Sequence, residues 1–147
     1  MPRWIKVMLS TPDEALTPLA RYTQANGLLY LALGFVVYVW PEVMSLVGAH
    51  PLEGQEPALY GMLGLSVAIV GWFYVIGGRT NRDSFGLATF ADRILVPFFA
   101  LPLVLAGHVD PMLVLPVAIL DPILGIGAFL IWKRQSSPRG PSMHSGG

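Results

Sequence analysis

Two residues of opposite charge stand in stretches otherwise suited to lipid, Arg93 within 85–106 and Asp121 within 112–132. A lone charge at mid-bilayer costs about 2.5–3.5 kcal/mol on insertion scales, so embedded charges are expected to pair or to serve a function. Pairing, or protonation of Asp121, removes much of that cost. Thr89 and Asp92 precede Arg93 on its segment, and Gln24 and Asn26 bring amides from an earlier one. Such a set can lock helix register, hold the polar end of a ligand or carry a proton. Pro122 follows Asp121, denies the Ala118 carbonyl its usual donor and bends the helix beside the acid. That carbonyl is expected to accept from Arg93, Gln24 or water.

Other chemistries are disfavoured. The 147 residues contain no cysteine, which excludes disulfides, thiolate metal sites and cysteine nucleophiles. His50, His108 and His144 fall in loops or the tail, where they read as surface histidines, and haem b held by transmembrane histidines lacks its axial ligands. No GxSxG, HExxH, GxxxxGK[ST] or GxGxxG occurs. Asp83, Asp92 and Asp121 have no spacing diagnostic of a metal site. Nine basic and nine acidic side chains cancel, so no global field draws nucleic acid.

The elements that must position these residues follow from the apolar runs. Hydrophobic residues make up 54% of the chain and charged ones only 12%, about half the usual share for a soluble domain. Four spans are expected, at about 18–40, 58–77, 85–107 and 112–132, each near the 20 residues needed to cross a hydrocarbon core. Thr17-Pro18, Pro57 and Asp110-Pro111 supply helix starts, Asp83-Ser84 supplies capping side chains, and Gly107 closes the third helix. The fold class is therefore an all-α integral membrane four-helix bundle. Lysine and arginine lie in the N-terminal segment, the middle loop and the tail, whereas the other two loops have none, so both termini are expected on the cytoplasmic side. Residues 1–17 read as a cytoplasmic or interfacial segment rather than a secretory signal, and 133–147 as a disordered tail. Val43–Val47 suits a short amphipathic piece, and no internal repeat stands out.

Small residues mark the contact faces, because lipid gives helices no hydrophobic reason to associate. Gly61, Gly64, Ala68 and Gly71 recur at helical spacing, as do Ala118, Asp121, Gly125 and Ala128. Ala20, Gln24, Gly27, Leu31 and Gly34 form the stripe of the first span, and Gly86, Arg93, Ala100 and Gly107 recur every seven residues on the third. Depth agrees: Arg93 lies roughly 13 Å beyond the start of its helix and Asp121 roughly 16 Å in from Trp132 on the antiparallel neighbour. The expected centre is an Arg93–Asp121 pair flanked by Gln24 or Asn26, with Asp92 and Thr89 close by. Tyrosines and tryptophans read as interface anchors or filler.

The stretch Gly27-Leu28-Leu29-Tyr30-Leu31-Ala32-Leu33-Gly34, then Trp40-Pro41-Glu42, then Tyr60-Gly61-Met62-Leu63-Gly64, resembles the DoxX-like and related small bacterial four-helix membrane proteins over about residues 18–132. The resemblance implies a four-helix bundle of the bacterial inner membrane with redox or accessory roles, and it carries over no catalytic residue. Sterol-isomerase-like four-helix enzymes are similar in architecture but depend on embedded histidine and glutamate, which these spans lack.

The first functional expectation is a non-enzymatic binding or accessory subunit in the bilayer. It would bind an apolar ligand such as a quinone, or a membrane-protein partner. The second is a proton-coupled carrier, with Asp121 as the proton site and a homo-oligomer supplying the pathway. The third is an enzyme of lipid or quinone chemistry using Asp92 or Asp121 as base.

Overall fold

The computed structural model of the chain describes residues 14–109 and 111–137. Its elements are all helices: α1 (Pro18–Val39), the one-turn α2 (Val43–Leu46), α3 (Glu56–Arg79), α4 (Asp83–Leu105) and α5 (Pro111–Ser136). Three of them, α1, α3 and α4, are long and apolar enough to cross a membrane. Residues 1–13 of the expected segment 1–17, the Asp110 cap and the tail beyond 137 lie outside the described residues.

The expected starts are largely realised. The Thr17 hydroxyl accepts from the Ala20 amide at 3.2 Å, and Pro18 opens α1, where a missing N–H costs nothing. At the end of α4, Gly107 takes φ +70°, and the His108 amide reaches the Leu103 carbonyl at 3.0 Å. This closure needs a left-handed residue, which glycine supplies without strain. The α4 start differs from expectation. Arg82 stands at the cap position without a side-chain bond, and the Asp83 carboxylate instead accepts from Gln135 Nε2 at 2.9 Å.

That contact explains a second difference. The last helix runs past Trp132 through Lys133 and Gln135 to Ser136, where disorder was expected from 133. Gln135 Oε1 also accepts the Leu19 amide at 3.3 Å, and Asn81 Oδ1 accepts the Thr17 amide at 2.8 Å. First-turn amides of a helix have no partner within it. Here side chains from the α3–α4 turn and from the end of α5 satisfy those of α1.

Packing is backbone-close along α1 and α3, which run antiparallel. A Cβ on Gly27 would lie 2.6 Å from the Val75 nitrogen, and one on Gly64 would lie 2.5 Å from the Tyr38 nitrogen. Gly34 and Gly71 are equally tight, against Ala68 and Leu31. Helices α4 and α5 form the expected antiparallel hairpin, with Phe90 stacked on Phe129 at 5.3 Å. The two pairs join mainly through α1, which touches both α4 and α5, with a smaller contact between α3 and α4.

The burial pattern inverts that of a soluble protein. Thr23, Asn26, Thr89, Arg93 and Asp121 are buried, while Leu28, Phe35, Phe73, Phe98 and Leu105 face outward. Hydrocarbon surroundings favour such an arrangement.

Candidate functional site

Arg93 is only 1% exposed and sits between two tyrosine rings. Its guanidinium carbon lies 5.3 Å from the Tyr30 ring centroid and 4.9 Å from that of Tyr74. Both are cation–π distances, each worth up to about 2 kcal/mol when desolvated. The rings themselves meet edge to face at 5.8 Å. Each tyrosine then donates its hydroxyl to an aspartate: Tyr30 to Asp121 Oδ1, and Tyr74 to Asp92 Oδ2 at 2.6 Å. The cluster is thus one cation between two tyrosine–carboxylate pairs, drawn from α1, α3, α4 and α5.

This arrangement revises the expected centre. Arg93 and Asp121 are both buried and both contact Tyr30, but no direct hydrogen-bonded pair forms between them. None of the three guanidinium nitrogens has a partner among the described residues. The Ala118 carbonyl accordingly accepts from neither Arg93 nor Gln24, whose Nε2 is also unpartnered among the described residues. The physical reason is steric: the Tyr30 ring stands against the guanidinium, and its hydroxyl donates to Asp121 Oδ1.

The remaining expected residues are placed variously. Asn26 is buried with its Nδ2 unpartnered among the described residues. It lies one turn before Tyr30 on the same helix. Gln24 packs on the glycine face of α3, where a Cβ on Gly78 would come within 2.7 Å of its Cγ. Thr89 is buried, but its hydroxyl donates to the Gly86 carbonyl at 2.8 Å and is thereby satisfied locally. Asp92 is exposed apart from its Tyr74 bond. Gly125 and Ala128 are buried on α5 beside Asp121, as their spacing anticipated.

The two tyrosines are what the sequence reading missed, having been taken for anchors and filler. A signal was present. The pattern G-x-x-Y-x-x-x-G occurs at Gly27-Tyr30-Gly34 and again at Gly71-Tyr74-Gly78. Spacings of three and four residues put each tyrosine on the same face as the glycines that bring α1 and α3 together. An aromatic ring on a backbone-tight seam points into the bundle, not toward an interface.

Next to the cluster lies a cavity of about 310 Å³. Its walls come from α1 (Leu33, Val37), α3 (Leu63, Val67) and α5 (Val117, Leu120), with Val43 and Met44 of α2 also lining it. Tyr30 and Asp121 also line it, but the surface it exposes is almost wholly apolar. The volume is at the small end of the range for ligand sites, roughly 300–1,000 Å³. Away from the cavity, His50 Nε2 meets the Glu56 carboxylate at 3.1 Å on the exposed surface, and His108 is exposed. Among the described residues, no group of three or more histidines and acids is placed to hold a metal. Comparison with protein-family models, curated proteins and solved structures gives no match.

Proposed function

We propose that this chain is a four-span protein of the bacterial cytoplasmic membrane that binds an apolar small molecule inside its helical domain, as a binding or accessory subunit. The observation that carries the reading is the cavity: apolar walls, and a buried tyrosine–carboxylate pair at one point of its lining. Ligand sites are commonly built this way, with many apolar contacts for affinity and a few polar groups for orientation. In this reading α5 crosses beside α1, α3 and α4, and the lysine- and arginine-bearing ends face the cytoplasm. The DoxX-like resemblance fits an accessory role of this kind. Arg93 holds both tyrosine rings behind that wall.

Purification in mild detergent, followed by mass spectrometry of co-purifying lipids and cofactors, tests the proposal. An apolar species is expected with the unmodified protein and lost in Leu33→Trp, which fills the cavity. Equal recovery of every species from both proteins would overturn it.

A carrier reading draws on a different observation, the file Asp92–Tyr74–Arg93–Tyr30–Asp121 running through the bundle. Proton-coupled uptake would then require Asp121 and, given the small bundle, a homo-oligomer. Asp121→Asn should abolish proton-coupled uptake into proteoliposomes. Uptake that survives this change excludes the carrier.

A further inference from the structure

The cavity has a direction and an open side. Its lining runs from Tyr30 to Val37 on α1 and from Leu113 to Asp121 on α5. At 1.5 Å per residue these are lengths of about 10 and 12 Å along the helices. Half of a hydrocarbon core roughly 30 Å thick is about 15 Å, so the slot follows the helix axes through most of one leaflet. Val43 and Met44 of α2, with Val47 just after it, close the end away from Tyr30. The side is open instead. Helices α3 and α5 line opposite walls, yet α3 packs mainly on α1 and α5 mainly on α4. Leu33, Leu63 and Val117 each keep 37% or more of their surface exposed. Around them Met62 on α3, Ile119 on α5, and Leu46 and Val47 at α2 also face outward. An opening rimmed by apolar side chains abuts acyl chains rather than water.

The inner surface is almost wholly apolar, and the Tyr30 hydroxyl is turned to the Asp121 carboxyl rather than to the space. A carbonyl, hydroxyl or charge brought inside would lose its water and find no partner, which is costly. The occupant therefore enters as bare hydrocarbon. We propose that the cavity takes one acyl chain of a bilayer lipid, which slides in between α3 and α5 while its head group stays at the membrane surface beside α2. The inference rests on the binding reading above and specifies its ligand. A bilayer holds such chains in large excess over any dissolved apolar molecule, so mass action favours them. Shape favours them too, since a lipid chain already lies along the membrane normal, as the slot does. A compact molecule with a ring carbonyl would bury that group unsatisfied.

The test uses full-length protein in phosphatidylcholine nanodiscs and two photoreactive probes. One is a phosphatidylcholine with a diazirine on one acyl chain, and the other is decane carrying the same group. Labelled residues are mapped by mass spectrometry. Leu95 and Leu101, half-exposed on α4, report contact with passing lipid. The lipid probe is expected to label Val67 and Leu120 at least about threefold more than these two leucines. Exposure alone gives the reverse order, because Val67 and Leu120 are the less exposed pair. Leu33→Trp and Val117→Trp fill the slot from different helices, and each should bring Val67 and Leu120 down to the α4 level or below. If one variant does not fold, the other carries the comparison. Unchanged labelling in a folded variant overturns the assignment to this cavity. Labelling of Val67 and Leu120 by decane but not by the lipid overturns the acyl-chain inference and leaves the apolar site standing. Labelling by neither probe overturns both.

Discussion

Helices α1 and α3 meet backbone to backbone, whereas α4 and α5 meet through rings and a guanidinium. On the first seam, Gly27, Gly34, Gly64 and Gly71 leave no room for even a methyl group. On the second, a Cβ at Gly125 would touch Arg93 and Phe90 at 3.4–3.5 Å, ordinary contact distances. Across the same interface Phe90 stacks on Phe129, which in turn leans on Trp132 of its own helix at 5.8 Å. Hydrocarbon offers no hydrophobic gain for helix association, so the first pair relies on dispersion over a long close approach. The second pair relies on a few large side chains, which leave space beside them. The polar cluster lies where the tight half faces the loose half, with its tyrosines on one side and its arginine and aspartates on the other. A rigid partner fixes where the rings point, and the looser pair brings the charges to them.

The largest effect should come from filling the tight seam. Gly34→Val is expected to destabilise the protein by about 3 kcal/mol or more, because the displaced atoms are main chain and have no rotamer to move to. Gly125→Ala should change stability by no more than about 1 kcal/mol. Reversible unfolding in mixed micelles measures both, and equal costs would erase the distinction between the halves.

Next in size are the couplings across the cluster. A double-mutant cycle of Tyr30→Phe with Asp121→Asn should give a coupling of about 1.5 kcal/mol or more, as for a hydrogen bond to a charged acceptor. The cycle of Arg93→Met with Asp121→Asn should give about 0.5 kcal/mol or less, since the ring lies between them. The reverse order would restore a direct ion pair. Smaller again is Gln135→Ala, expected to cost about 1 kcal/mol and to speed hydrogen exchange at the Leu19 amide. The smallest is Tyr74→Phe. Its partner Asp92 is already exposed, so about 0.5 kcal/mol should be lost in the same unfolding assay.

The described helix limits were legible within two to four residues, because the uncharged runs and proline starts are local features of the chain. The glycine seam was legible too, since spacing alone decides which small residues share a face. Burial of Arg93 and Asp121 followed from the cost of charge in lipid. What burial did not determine was who pairs with whom. The rotation of α1 about its axis decides whether Tyr30 or Arg93 reaches the carboxylate, and that rotation is set by Gly27 and Gly34 docking on α3. Tyr74 was hidden for the same reason: residue type suggested an interface, and only the seam fixes its direction. Gln135 was hidden because its helix persists through contacts with Leu19 and Asp83, more than fifty positions away along the chain.

That last contact has a consequence for biogenesis. The opening turn of α1 is completed by a residue the ribosome adds 116 positions later. Until then the Leu19 amide must be served by water at the membrane edge, however early that segment leaves the translocon. Maturation of the first hairpin is thereby tied to delivery of the second. A chain stalled before Gln135 would present quality-control proteases with a frayed N-terminal end on otherwise inserted helices.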